Sequence, residues 1–195
     1  MATVTTQERT NILKLVAGMF NAAPGAAYLS EFTDAYVAMN KDLGALATSL
    51  GQTGAFKSLY PSFLSAEEFA NKFLDTLGLK ANKEAQDWVK AKVTAGESYA
   101  SVVFQAQVAI DASTAAEFKA AKDQLANKAA VAEYYSVTQN KSATDLAALQ
   151  AVVAKVTNDA ATVEAAKAGA AVTGGQTFTL TTGNDLADVA GSFRF

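Results

Sequence analysis

Three times along the first two-thirds of the chain a hydroxyl residue stands three positions before a glutamate and opens an apolar pattern of helical spacing: Thr5-x-x-Glu8, Ser65-x-x-Glu68 and Thr114-x-x-Glu117. In such a box the hydroxyl and the carboxylate satisfy backbone N–H groups that a helix start leaves without partners. Apolar residues stepping by three and four then put one face of each helix inward. A chain written this way folds mainly as α-helices packed face to face.

The first box leads to Ile12, Val16, Met19 and Phe20, with the helix ending near Asn21. Pro24 is placed to open a second helix, where its missing N–H costs nothing. Leu29, Phe32, Tyr36, Met39, Leu43, Leu46 and Leu50 continue in steps of three and four, predicting one long helix with a heptad-like stripe that Gly51 and Gly54 stop. A short turn or helix carries Phe56, Leu59 and Tyr60 to Pro61. The second box then opens a helix that turns Phe69, Phe73, Leu74 and Leu77 inward and closes at Gly78. Asn82 is positioned to cap a helix with Ala85, Trp88, Val89 and Val93, and Ser98 to cap one with Val102, Val103, Ala106 and Ile110; these two read as an antiparallel pair. The third box precedes Phe118, Ala121, Leu125, Ala129 and Ala132, in a helix reaching Tyr134 or Tyr135. Ser142 or Thr144 caps a last helix through Leu146, Leu149, Val153, Val156, Ala160 and Val163 to about Ala168. The expectation is a mainly α bundle of about six to seven helices over residues 1–168.

After Ala168 the pattern changes. Five of the twelve glycines lie in residues 169–195, and Thr177-Phe178-Thr179-Leu180-Thr181 alternates polar and apolar with the period of a strand. Since an isolated strand is marginal and leaves an open edge, this segment is expected to be a linker and the start of a β-rich region in a longer protein. The alternative is a tail that folds back on the helices.

Charge and composition then narrow the function. Sixteen basic and nineteen acidic side chains are scattered without long runs, which favours neither nucleic acid nor a polybasic membrane patch. No apolar run reaches the roughly 18 residues of a transmembrane helix, and the first residues lack the basic and apolar regions of a cleavable secretory signal. With no Cys and no His, thiol nucleophiles, His-based triads and the commonest zinc ligands are all excluded. The adjacent acids Glu67/Glu68 and Asp185/Asp188 are the candidates for paired-carboxylate chemistry, but Glu68 is engaged by its box and the helical acids are interspersed with Lys, so the chain reads as non-enzymatic.

Two kinds of site remain. Asn184, Asp185 and Asp188 offer oxygen ligands around the turn at Gly183, and calcium is the cation such ligands suit; an ordinary Asn/Asp turn is the competing reading, because calcium needs six to eight oxygens. Sugar rings have apolar faces that suit aromatic side chains, and Tyr28, Tyr60, Tyr99, Tyr134 and Tyr135 are the candidate glycan-binding residues. Trp88 and Tyr36 fall on apolar stripes and are assigned to the core.

The run Gly78-Leu79-Lys80-Ala81-Asn82-Lys83-Glu84-Ala85-Gln86-Asp87-Trp88-Val89, followed by Gly96-Glu97-Ser98, resembles a helical domain near the amino terminus of many Gram-negative surface proteins, departing from its Tyr-Trp pair at Asp87. The eleven residues Gly175-Gln176-Thr177-Phe178-Thr179-Leu180-Thr181-Thr182-Gly183-Asn184-Asp185 resemble the junction leading into calcium-rich β repeats of surface-layer (S-layer) and related RTX-type proteins. That resemblance implies an amino-terminal helical domain that anchors a protein coat to lipopolysaccharide O-polysaccharide. It also implies downstream β domains that assemble with neighbouring copies and calcium, and type I secretion to the cell surface. The competing expectations are a helical interaction or self-association region of a secreted RTX-type adhesin, and a phasin-like amphipathic coat protein.

Overall fold

A computed structural model describes residues 3–172, which form a mainly helical structure of ten α-helices with no strand among the described residues. In chain order they are α1 (Thr6–Phe20), α2 (Gly25–Ala38), α3 (Leu43–Leu50), α4 (Gly54–Leu59), α5 (Ala66–Asp75), α6 (Lys83–Thr94), α7 (Tyr99–Ala112), α8 (Ala116–Glu133), α9 (Leu146–Val153) and α10 (Ala160–Val172). A π-helical turn, Tyr134–Thr138, prolongs α8. The expected strand at 177–181 and its flanking turns lie outside the described residues.

The first helix is the axis of the bundle. Its capping box forms as the sequence predicts: Glu8 N–H donates to Thr5 Oγ1 at 3.2 Å, and Thr5 N–H donates to Glu8 Oε2 at 2.7 Å. Ile12, Leu13, Leu15, Val16, Met19 and Phe20 are all buried, because α1 packs along α8 and α7 and touches α2, α3 and α4. A residue of this kind, fully buried, contributes about 1.5–3 kcal/mol relative to exposure, so this face supplies a large share of the drive to fold. Asn21 ends the helix in the left-handed conformation, φ 51°, and α2 sets off at 111° to α1. At the start of α2 only glycine fits: Gly25 has φ +73°, and a Cβ there would meet the backbone at Lys141 and Ser142 within 3.2 Å.

The stripe from Leu29 to Leu50 faces the core as its spacing requires, but it belongs to two helices rather than one. Asn40 and Lys41 adopt φ 55° and 63°, closing α2 with Lys41 N–H on Tyr36 O, and Asp42 restarts the helix by accepting from Gly44 and Ala45 N–H. Asn reaches the left-handed region readily because its short polar side chain bonds locally; Lys41 follows it there, and apolar periodicity carries no record of either. Gly54, expected to stop a helix, instead begins α4 under a Thr53 cap.

Two further expectations are corrected. Thr114-x-x-Glu117 makes no capping box: α8 starts after Ala115, which has no side-chain cap, and the hydroxyl used in this tight turn is that of Ser113, accepting from Ala115 N–H. The last helix is not continuous either. Asp145, not Ser142 or Thr144, caps α9. Ser142 bonds Ala27 N–H across the fold. The stripe breaks at Thr157–Asp159, where Asp159 and Thr162 hold a turn before α10; Val156 and Val163 remain buried on either side, whereas Ala160 is exposed. The boxes at Thr5 and Ser65, and the caps at Asn82 and Ser98, form as predicted. The expected pairing of α6 and α7 exists, although α6 packs more extensively on α5.

Candidate binding groove

An apolar groove of about 270 Å³ lies where α5, α6, α7 and the start of α8 converge. Leu74 and Leu79 line it from the end of α5 and the turn closed by Gly78, which has φ +69°. Trp88 and Val89 form the α6 wall; Ala106, Ala109 and Ile110 form the α7 wall; Phe118 closes one side. The gap follows from side-chain size. Beside Trp88 the lining is small, Ala85 on α6 and Ala106 and Ala109 on α7, and small residues leave space that a Leu or Phe would fill. Lys92 Nζ lies 5.5 Å from the Trp88 ring centroid, an interaction that favours one placement of the indole. Polar lining comes from Glu84 and Ser113. With so few hydrogen-bonding groups the groove suits an apolar side chain far better than a chain of sugar hydroxyls.

The five tyrosines assigned to glycan binding divide by burial. Tyr28 (4% exposed), Tyr60 (5%) and Tyr135 (7%) lie in the core. Tyr28 stacks on Phe32 at 6.1 Å. Tyr60 sits between Phe56 and Phe69 at 5.1 and 5.3 Å, and burial pushes its phenol far above the ordinary range. Burial also raises Tyr135. These three offer no open ring face to a sugar, so their assignment to a surface site is corrected to core packing.

Tyr99 and Tyr134 are half-buried. Tyr99 stacks flat on Phe69 at 4.1 Å and donates to Leu64 O at 2.6 Å; burial first, and the Glu68 charge second, raise its pKa. Tyr134 accepts from Gln139 Nε2 at 2.9 Å beside exposed Thr138 and Asn140. Phe69 thus brings Tyr60 and Tyr99 together, whereas Tyr134 and Tyr135 belong to the π turn against α2. Asn184, Asp185 and Asp188 lie outside the described residues.

Among the described residues no three acids cluster as metal ligands, and no single helix is long and apolar enough to cross a membrane. Two exposed acids are engaged locally: the Ser65 backbone N–H holds the Glu68 carboxyl below its usual range, and Lys83 and Lys90 do the same for Asp87.

Sequence reading missed three features. Trp88, assigned to the core, does pack half-buried against it, but it also walls the groove, a second role that a stripe does not reveal. Lys128, only 3% exposed, donates to Asn21 Oδ1 at 2.8 Å and Thr76 O at 3.0 Å, tying the carboxyl ends of α1 and α5 to α8. Arg9 binds Glu133 through Nε and Nη2, between α1 and α8, an ion pair 124 residues apart that no local pattern announces. Compared with protein-family models, curated proteins and solved structures, the chain finds no match in any of the three.

Proposed function

We propose that this chain is a non-enzymatic anchoring module of an S-layer-like protein, attaching a coat at the cell surface to lipopolysaccharide O-polysaccharide. The observation that carries the reading is the string Gly175–Asp185, which follows the helices and resembles the junction into calcium-rich β repeats. On this reading the residues after α10 lead into a β region, calcium is held there with Asn184, Asp185 and Asp188 among its ligands, and export is of the type I kind. The helical part is a rigid platform, with its ion pairs and caps fixing the surface it presents.

Sugar contact is proposed at the carboxyl end of α8, where the half-buried Tyr134 ring lies beside exposed Thr138 and Asn140. An apolar ring face flanked by hydroxyl and amide groups matches the two-sided chemistry of a pyranose. The test is retention of the purified protein, with calcium, on cells bearing full lipopolysaccharide and on cells stripped of O-polysaccharide. Retention on the first alone, reduced severalfold by Tyr134→Ala, is expected. Equal retention on both, or none on either, overturns the reading.

The apolar character of the groove at Trp88 favours a second reading, a helical protein-interaction region of a secreted RTX-type adhesin. Calcium-independent association with protein and no preference for O-polysaccharide would select it.

A further inference from the structure

The stripes from Leu29 to Leu50 and from Leu146 to Val163, which the sequence offers for self-association, are largely enclosed in the core. Outside it, among the described residues, remain the groove at Trp88 and three exposed large apolar side chains: Val108 and Val137, 52% and 41% exposed, and Phe63, at 83% the most open of the three. A lone exposed apolar residue is ordinary on a protein surface. Phe63 differs in being held out by a rigid support. It occupies the turn Pro61–Leu64, closed by Leu64 N–H on Pro61 O at 3.1 Å; the Tyr99 hydroxyl clamps Leu64 O at 2.6 Å, and the Ser65–Glu68 box fixes the next residue. The ring is therefore presented with little backbone freedom left to lose on binding.

We propose that Phe63 of one molecule inserts into the Trp88 groove of a second copy, linking this chain head to tail. The groove's volume of about 270 Å³ is ample for a phenyl ring, since an apolar cavity of about 150 Å³ takes up benzene. Its walls, Leu74, Val89, Ile110 and Phe118 with the Trp88 indole, supply the apolar surface such a ring needs. The knob does not fill its own groove. Tyr99 pins the turn at the start of α7, whereas Ile110 lines the groove eleven residues further on, about 16 Å along the helix. Engaged one pair at a time, a knob and a hole on different parts of one surface make a heterologous contact, which leaves a free knob at one end and a free groove at the other to add further molecules. The contact is small, so it forms weakly in solution and gains strength where copies are already crowded or tethered. The inference stands independently of the anchoring reading, because it needs no glycan and no calcium.

The test uses the full chain and its single tryptophan, which walls the proposed site. As concentration rises into the hundreds of micromolar, Trp88 emission is expected to move to shorter wavelength while sedimentation velocity shows species growing beyond dimer. Phe63→Ser, at an exposed position, is expected to abolish both. Ala109→Phe, which fills the exposed α7 wall, is expected to abolish association with Phe63 intact; Ala109→Leu is the smaller filler if that variant folds poorly by circular dichroism. Mixing Phe63→Ser with a folded groove-filled variant is expected to restore a one-to-one complex that does not extend. Association unchanged by Phe63→Ser, or unchanged by filling the groove, overturns the proposal. So does a wild-type protein that stays monomeric at these concentrations, or a mixture that still grows beyond one-to-one.

Discussion

Lys128→Met is expected to remove a distinctive alkaline dependence of stability. Burial lowers the Lys128 pKa from its ordinary 10.5 to about 8. The folded chain thus binds this proton less tightly than the unfolded chain does. Between pH 8 and 10.5 the unfolded state carries more protons, and stability from this group rises with pH. Below pH 8 the full penalty of a buried ammonium is present. At roughly 1.4 kcal/mol per pH unit the gap corresponds to about 3 kcal/mol, of which about 2 kcal/mol is recovered between pH 7 and 9.5.

The window closes from above. Tyr36, Tyr60, Tyr99 and Tyr135 have raised pKa values, so their phenols stay protonated in the fold when they ionise in the unfolded chain, and stability falls again as pH passes about 10. In Lys128→Met the ammonium penalty is gone, but Asn21 Oδ1 loses its donor, whereas Thr76 O keeps Gln124 Nε2 at 3.4 Å. A buried acceptor left short costs about 1–3 kcal/mol, so the variant is expected within about 1–2 kcal/mol of wild type at pH 7. Urea unfolding at pH 7.0, 8.5 and 9.5 checks this: wild type should gain stability across the series, and the variant should not. Identical pH profiles for the two proteins would refute the assignment of that dependence to Lys128.

Gly51→Ala is expected to cost about 1–3 kcal/mol by thermal or urea unfolding, because the new Cβ would lie 2.3 Å from Ala100 Cβ. Gly51 has ordinary helical φ, so the penalty is one of space, and Ala100→Gly in the same chain should recover part of it. Ser136→Ala is expected to be neutral or stabilising by up to about 1 kcal/mol, since its buried hydroxyl has no hydrogen-bond partner among the described residues. Arg9→Ala is expected to cost about 1 kcal/mol, less at high salt, through loss of the half-buried bidentate pair with Glu133 between α1 and α8.

What could be read from the sequence was the inward face of almost every helix. Ile12, Phe32, Leu46, Phe69, Val103, Leu125 and Leu149 are buried where spacing puts them, since burial follows a period that local sequence records directly. Breaks were less legible. Asn40–Lys41 and Thr157–Asp159 interrupt stripes without disturbing their phase, so periodicity alone runs through both. The capping signal at Thr114 failed for a related reason: α7 ends at Ala112 with Ser113 as its C-cap, and a turn this short uses the hydroxyl that arrives first. The candidate site was least legible. A tyrosine has the same composition whether it stacks in the core, as Tyr60 does on Phe56 and Phe69, or lies half-open, as Tyr134 does. Which of these holds depends on contacts between distant helices.

The groove at Trp88 and the buried cation at Lys128 have a common origin in the alanine content of the helices. Alanine lets helices approach closely while filling little volume. Gly51 on Ala100 shows how close the approach becomes where α3 meets α7. Where both facing residues are small and the helix axes cannot close further, the gap must be filled by a long side chain or left open. On the α8 side a lysine stem fills the interior and carries its ammonium to Asn21 and Thr76; on the α6 side Ala85, Ala106 and Ala109 leave the gap open to solvent beside Trp88. Replacing Ala106, which is buried, with Leu would therefore test the groove's depth differently from replacing Ala109, which is exposed. The first is expected to lower stability by overpacking α7 against its neighbours, whereas the second fills the groove at little cost. Equal losses from the two substitutions would mean that the groove is closed in solution.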